Sequence, residues 1–142
     1  MRKAVLSLLA LLLVALPGCR QQETPPDPKQ LIADLRGPDA EKSGRARLLL
    51  ITLGEPAVPD LAELLRSGST AERVAAANTL WGMGARARAA VPDLAAALLD
   101  PDPGLRVAAA MTLQNMGAAA VDAVPALAKA LNLSRAEVHG VV

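Results

Sequence analysis

The chain has 142 residues, of which 52 % are apolar, yet it contains a single Trp and no Phe or Tyr. Ala and Leu dominate instead; these are strong helix formers, and the aromatic residues that favour strands are almost missing. The 15 basic and 14 acidic residues give a net charge of +1, which offers no electrostatic footprint for nucleic acid. One cysteine excludes an internal disulfide and a cysteine-cluster metal site.

The chain opens with Met1-Arg2-Lys3, followed by an apolar run Ala4–Leu16 interrupted only by Ser7, and then Pro17-Gly18-Cys19. A charged start, a short apolar stretch and a small residue before the break read as a secretory signal over residues 1–18. The run is shorter than the about 20 residues needed to span a bilayer. Leu16-Pro17-Gly18-Cys19 resembles the lipobox of bacterial lipoproteins, with Pro17 departing from the usual small residue at its position. That resemblance implies cleavage before Cys19, acylation of Cys19 and attachment to a membrane through the lipid. It also implies, because Arg20 rather than Asp follows the cysteine, the periplasmic face of the outer membrane rather than the inner membrane. Loss of Arg2 and Lys3 with the leader leaves 13 basic and 14 acidic residues, a net charge of −1. Residues 19–30 then form a lipidated cysteine and linker. Three prolines between Gln21 and Gln30 and the absence of an apolar pattern predict an extended tether.

From Leu31 the sequence repeats. Val58-Pro59-Asp60-Leu61 returns as Val91-Pro92-Asp93-Leu94 and Val124-Pro125-Ala126-Leu127, each 33 residues on. Arg73-Val74-Ala75-Ala76-Ala77 returns as Arg106-Val107-Ala108-Ala109-Ala110, and Met83-Gly84 as Met116-Gly117. A weaker copy lies 30 residues upstream, where Leu31, Leu35, Leu50 and Leu53-Gly54 match Leu61, Leu65, Leu80 and Met83-Gly84. Such a period marks an all-α solenoid, here of about three and a half helical hairpins: 31–54, 57–84, 90–117 and 123–142. In each hairpin the first helix starts near its proline, whose missing N–H costs nothing there. Its apolar stripe is Leu61, Leu64 and Leu65, or Leu94, Leu98 and Leu99. The second helix opens on a cap, Ser69 with Glu72, Asp102 with Pro103, or Ser134 with Glu137. It continues through Val74, Ala77, Leu80 and Met83, or Val107, Ala110, Leu113 and Met116, and closes at Gly84 or Gly117.

The stretch from Asp100 to Gly117, with a second copy from Ser69 to Gly84, closely resembles the second-helix signature of HEAT repeats of the short bacterial type. The resemblance implies that Arg73 and Arg106 join a hydrogen-bond ladder with a turn aspartate, matched by Asp100. Ser67 stands at the aspartate's place in the preceding repeat, so the ladder is expected to be incomplete there, and Arg45 is only near the arginine position of the first. Leu31–Leu53 is expected to cap the stack. A short final helix, Arg135–Val142, would leave apolar surface of the third repeat uncovered, open to a partner or to self-association.

No catalytic constellation is visible. His139, the only histidine, stands near the end of the chain, and no nucleophile elbow, zinc motif or phosphate-binding loop is present. No cofactor or metal is expected. Asp60 and Asp93 favour helix starts through the macrodipole, and Arg86 and Arg88 read as a solvated face. Trp81 is the exception. It shares a repeat position with Ile51 and Gln114, and a place that accepts Gln is not deep core. A half-exposed Trp on a repeat surface fits an interface anchor, with Asn78, Arg45 and Arg47 as polar neighbours. The expected function is therefore a membrane-tethered, non-catalytic module whose stacked second helices present a shallow concave surface to an unknown protein or peptide. The alternatives are an accessory subunit of an enzyme, as the resemblance to HEAT-like bilin lyase subunits implies, and a structural component of an envelope assembly. The secretory leader speaks against the former.

Overall fold

The computed structural model describes residues 26–139, so the signal region, the lipobox and Cys19 lie outside the described residues. Among these, seven α-helices and three 3-10 turns follow one another with no strand. They are α1 (Pro28–Arg36), α2 (Ala40–Leu53), α3 (Val58–Ser67), α4 (Thr70–Met83), α5 (Val91–Ala97), α6 (Pro103–Met116) and α7 (Val124–His139). Helices α1/α2, α3/α4 and α5/α6 pair as hairpins. First helices pack on first helices, α1 on α3 on α5 on α7, and second helices on second helices, α2 on α4 on α6. This is an α-solenoid, in which each pair covers its apolar side with the next.

Local chemistry starts the helices where the repeat requires. Pro28, Pro59, Pro92 and Pro103 all stand in the first turn of their helices. Asp39 accepts from the backbone N–H groups of Glu41 and Lys42, Asp102 from that of Leu105 at 2.7 Å, and Ser69 with Glu72 forms a capping box. The second helices end at Gly54, Gly84 and Gly117, with φ of 73°, 57° and 56°. Each carries ψ near −130°, a combination that strains any residue with a Cβ.

After each glycine the chain makes a 3-10 turn, three residues long at Glu55–Ala57 and seven at Gly84–Ala90 and Gly117–Ala123. The turns are the physical form of the unequal spacing between glycine and proline. Ala57, Ala87, Ala90 and Ala123 are fully buried, so the turns line the core as well as link the helices. The core itself is aliphatic: Leu50, Leu61, Leu80, Leu94 and Leu105 are fully buried, with Ala76, Ala77 and Ala109 between them.

Four sequence expectations need correction. The tether was expected to reach residue 30, but helix α1 already begins at Pro28, because Asp27 accepts from the N–H of Lys29 and Pro28 suits the first turn. Ser134 was expected to open a new helix; instead α7 runs unbroken from Val124 to His139. Leu131-Asn132-Leu133 contains neither the glycine that ends α3 nor the Asp100-Pro101-Asp102 turn that precedes α6, so nothing stops the helix. Leu99 is exposed, since α5 ends at Ala97 and the turn carries Leu99 outward while Leu98 stays inside. Val107 is also exposed, on the side of α6 away from the core.

Two glycine variants separate the roles of that residue. Gly84→Ala should lower unfolding free energy by about 1–3 kcal/mol, the cost of forcing a Cβ into a glycine-only conformation. Gly44→Ala, inside α2 where an added Cβ meets nothing within 4 Å, should raise it by roughly 0.5–1 kcal/mol. Urea denaturation of both variants beside the parent chain reads the two signs.

Candidate functional site

Polar bonds between repeats fix how the second helices face one another. Arg73, in the first turn of α4, donates through Nε to the carbonyl of Leu65 at 2.9 Å and through Nη2 to the carboxylate of Asp100 in the next repeat. Arg106 donates to the carbonyls of Asp100 and Pro101, both at 2.9 Å. One repeat earlier the position of Arg73 is held by Ser43, whose hydroxyl donates to the carbonyl of Leu35 at 3.1 Å. Ser43, not Arg45, is thus the structural counterpart of the arginine, while Arg45 is exposed. Ser67 turns back to the carbonyl of Glu63. The link it cannot make is supplied by Arg36, which donates to Glu72 at 2.6 Å. Arg66 adds a further tie, with both oxygens of Asp93 at 2.9 Å from its Nη1. These last two pairs are half open to water on the arginine side, so they orient the repeats more than they stabilise them.

Deeper in the stack, the hydroxyl of Thr112 lies 2.7 Å from the carbonyl of Ala108 in its own helix and 3.0 Å from that of Ala77 in α4. A side chain that reaches the backbone of the neighbouring helix requires those helices to be nearly in contact. Asn115 donates to the carbonyl of Trp81 at 2.8 Å and so holds the end of α4 against α6.

That clamp shapes a groove of about 310 Å³ across the three second helices. Arg47 and Ile51 from α2, Asn78, Trp81 and Gly82 from α4, and Ala108 and Met111 from α6 line it. Trp81, Asn78 and Arg47, all singled out in the sequence, therefore meet in one place; Arg45 is not among the lining residues. Gly82 opens the groove, because a Cβ there would come within 2.5 Å of the Ile51 side chain. Two of the lining side chains are large, apolar and turned to water, Met111 at 54 % and Trp81 at 47 % exposure, and Leu48 at 66 % and Val107 at 59 % are exposed elsewhere on α2 and α6. Leu48, Asn78 and Met111 occupy one repeat position, and Ile51, Trp81 and Gln114 the next. Sequence reasoning missed Met111 and Gly82; the common position of Met111 with Asn78 was the available signal. Arg47 is the one cation of the lining, and its Nε is buried without a hydrogen-bond acceptor.

Among the described residues no group of three or more His, Cys, Asp and Glu side chains could hold a metal ion, and no helix is long and apolar enough to cross a membrane. The two shifted carboxylates, Glu72 and Asp100, belong to the caps and the ladder. Glu72 is lowered to about 2 by the backbone N–H of Ser69, then by Arg36 and the Ser69 hydroxyl. Asp100 is lowered chiefly by the backbone N–H of Asp102, with Arg73 adding to it against the opposing effect of burial.

An all-α solenoid tied by an arginine–aspartate ladder, with an outward-facing groove on its second helices, defines a class of stacked helical-hairpin proteins. The family model for HEAT repeats matches residues 58–139, and the chain belongs to that family. HEAT repeats suggest a protein-interaction scaffold, and the family is typically non-catalytic. Comparison with curated proteins and with solved structures gives no match.

The lowered carboxylates make stability depend on acid. Because Glu72 and Asp100 are stabilised as anions in the folded chain, their contribution is complete above their ordinary values of 4.5 and 3.8 and is lost as pH falls below them. For Glu72 the loss runs from pH 4.5 down to about 2. Urea midpoints should hold steady from neutral pH to about pH 5 and fall below it. In Glu72→Gln, which keeps an acceptor for Ser69 but no charge, that fall should be shallower. An unchanged slope would remove Glu72 from this role.

Proposed function

We propose that the chain is a membrane-tethered, non-catalytic docking module that binds a segment of a partner protein on the exposed face of α2, α4 and α6. The observation that carries this reading is the set of exposed apolar side chains on the second helices, Leu48 on α2, Trp81 on α4 and Met111 and Val107 on α6, two of which, Trp81 and Met111, line one groove. Aliphatic and aromatic surface turned to water in a chain with ample buried core marks a contact face. Trp in particular gives a large, rigid contact area, which is why it dominates binding hot spots.

The tether rests on the sequence. A lone cysteine directly after a short apolar leader supports acylation at Cys19, and two or more acyl chains hold a protein at a bilayer stably. The residues between Cys19 and helix α1 then set the distance between membrane and solenoid. Arg20 favours the outer membrane within this reading.

Two measurements test it. Growth with a clickable fatty acid should label the chain and place it in the membrane fraction, and Cys19→Ser should abolish both. A Cys19→Ser chain that stays in the membrane would overturn the lipid tether. A photoreactive residue at Met111 should crosslink to another protein in membranes, with lower yield after Trp81→Ala, whereas the same probe at Ala96, exposed on α5, should not. Equal crosslinking from both positions, or none from Met111, would overturn the docking face.

A further inference from the structure

The groove at Trp81 is not merely apolar; its polar composition is one-sided. None of its lining residues is acidic, and Arg47 supplies the cation. The second helices as a whole carry two carboxylates, Glu41 in the first turn of α2 and Glu72 in that of α4, and none in α6. Glu72 is already engaged by Ser69 and Arg36. No ion pair among the described residues includes Arg47.

Arg47 is also the single residue whose buried side-chain donor lacks an acceptor among the described residues. An Nε shut off from water is not reached from the groove, so a ligand there meets this guanidinium only through its two Nη groups. Those Nη groups enter no ion pair among the described residues, and they have the fork geometry that matches a carboxylate in a bidentate pair. Asn78 stands beside it with both a donor and an acceptor to offer a peptide.

We propose that the groove takes an amphipathic segment of a partner protein that carries a carboxylate side chain: the carboxylate pairs with Arg47 while apolar side chains lie against Ile51, Trp81 and Met111. The proposal rests on the docking face described above and adds to it the chemistry of the occupant. Charge complementarity favours this occupant over a second copy of the chain. A second copy would bring its own Arg47 and Arg45 to the same face, and like charges brought together across an interface oppose association.

Trp81 makes the test direct, because it is the only tryptophan in the chain and its emission reports the groove alone. The full chain in zwitterionic nanodiscs is titrated with three designed helical peptides of about 18 residues, long enough to form a helix. All present the same leucine face and contain no Trp; they differ only in carrying Glu, Gln or Lys beside it. The Glu peptide should shift Trp81 emission and bind about tenfold or more tightly than the Gln peptide, with the Lys peptide weakest. Added salt should narrow the gap between Glu and Gln. Arg47→Gln, with an unchanged circular dichroism spectrum, should erase that gap.

Equal affinity for Glu and Gln peptides in the parent chain, readable without any variant, would overturn the carboxylate pairing and leave the docking face standing. A preference for Glu that survives Arg47→Gln would overturn it as well. Binding by none of the three peptides would also sink the proposal, while crosslinking from Met111 separately decides the fate of the docking face. A Trp81 shift that depends on protein concentration without peptide would instead assign the groove to a second copy.

Discussion

The stack depends on how closely its second helices approach. Ala76 and Ala77 in α4 and Ala108 and Ala109 in α6 are buried at the contact, and Thr112 brings its hydroxyl to the carbonyl of Ala77. An alanine methyl contributes little burial by itself, about 0.8 kcal/mol per carbon group. It also loses no rotamer freedom on folding, so what it gains is not offset by side-chain ordering. Closeness then multiplies weak dispersion contacts, each worth about 0.1–0.2 kcal/mol. Leucines fill the volume between hairpins, where Leu50, Leu61, Leu80, Leu94 and Leu105 lose all contact with water. The division of labour is clear: leucine binds the two helices of a pair and the pairs into one core, and alanine sets the spacing of the second-helix row.

Close packing of apolar faces leaves sliding along the helix axis weakly opposed, and the polar bonds remove that freedom. Thr112, Asn115 and Arg73 each join one repeat to the next at a different height along the second helices. Where Ser67 replaces the turn aspartate, Arg36 and Glu72 supply a link of a different kind. That substitution exchanges a partly buried pair, in which Asp100 is also held by Asp102, for one whose arginine is half in water. The first hairpin is accordingly the more weakly tied of the two junctions. Its second helix still meets α4 through Ile51, which fits against Gly82 where any side chain would collide.

Much of the fold was legible because repeats compare a sequence with itself. The 33-residue interval, the capping box at Ser69, the cap at Asp102 and the terminal glycines each have a local cause, and each appears where it was placed. Errors arose where composition hid a local signal. The prolines before residue 30 read as an extended tether, although Asp27 followed by Pro28 is also a helix start. Serine and glutamate at 134 and 137 suggested a cap, but a cap begins a helix only where the preceding one has ended. Trp81 could be singled out by register, since Gln114 shares its position; Asn78 and Arg47 entered as its polar neighbours, although Arg47 shares its position with the buried Ala77. Arg36 and Gly82 could not be singled out, because their roles depend on neighbours more than 30 residues away whose distance is set by packing.

The groove has the same origin as the stack. Helices spaced by alanine leave no interior volume for an indole, so the chain's only aromatic ring is confined to the outward side. The same repeat positions that are small in one copy are large in another: Gly82 stands where its neighbours have Thr52 and Asn115, and Ala108 where α2 has Arg45. A hollow forms where small residues adjoin large ones, and Trp81 and Met111 rise beside Gly82 and Ala108. Regular backbone with irregular side chains is what allows a repeat protein to hold one architecture and vary its surface. Here the irregularity is concentrated on the second-helix face: exposed positions such as Trp81 and Met111 can change without touching the core, whereas Ala108 beneath them is part of it.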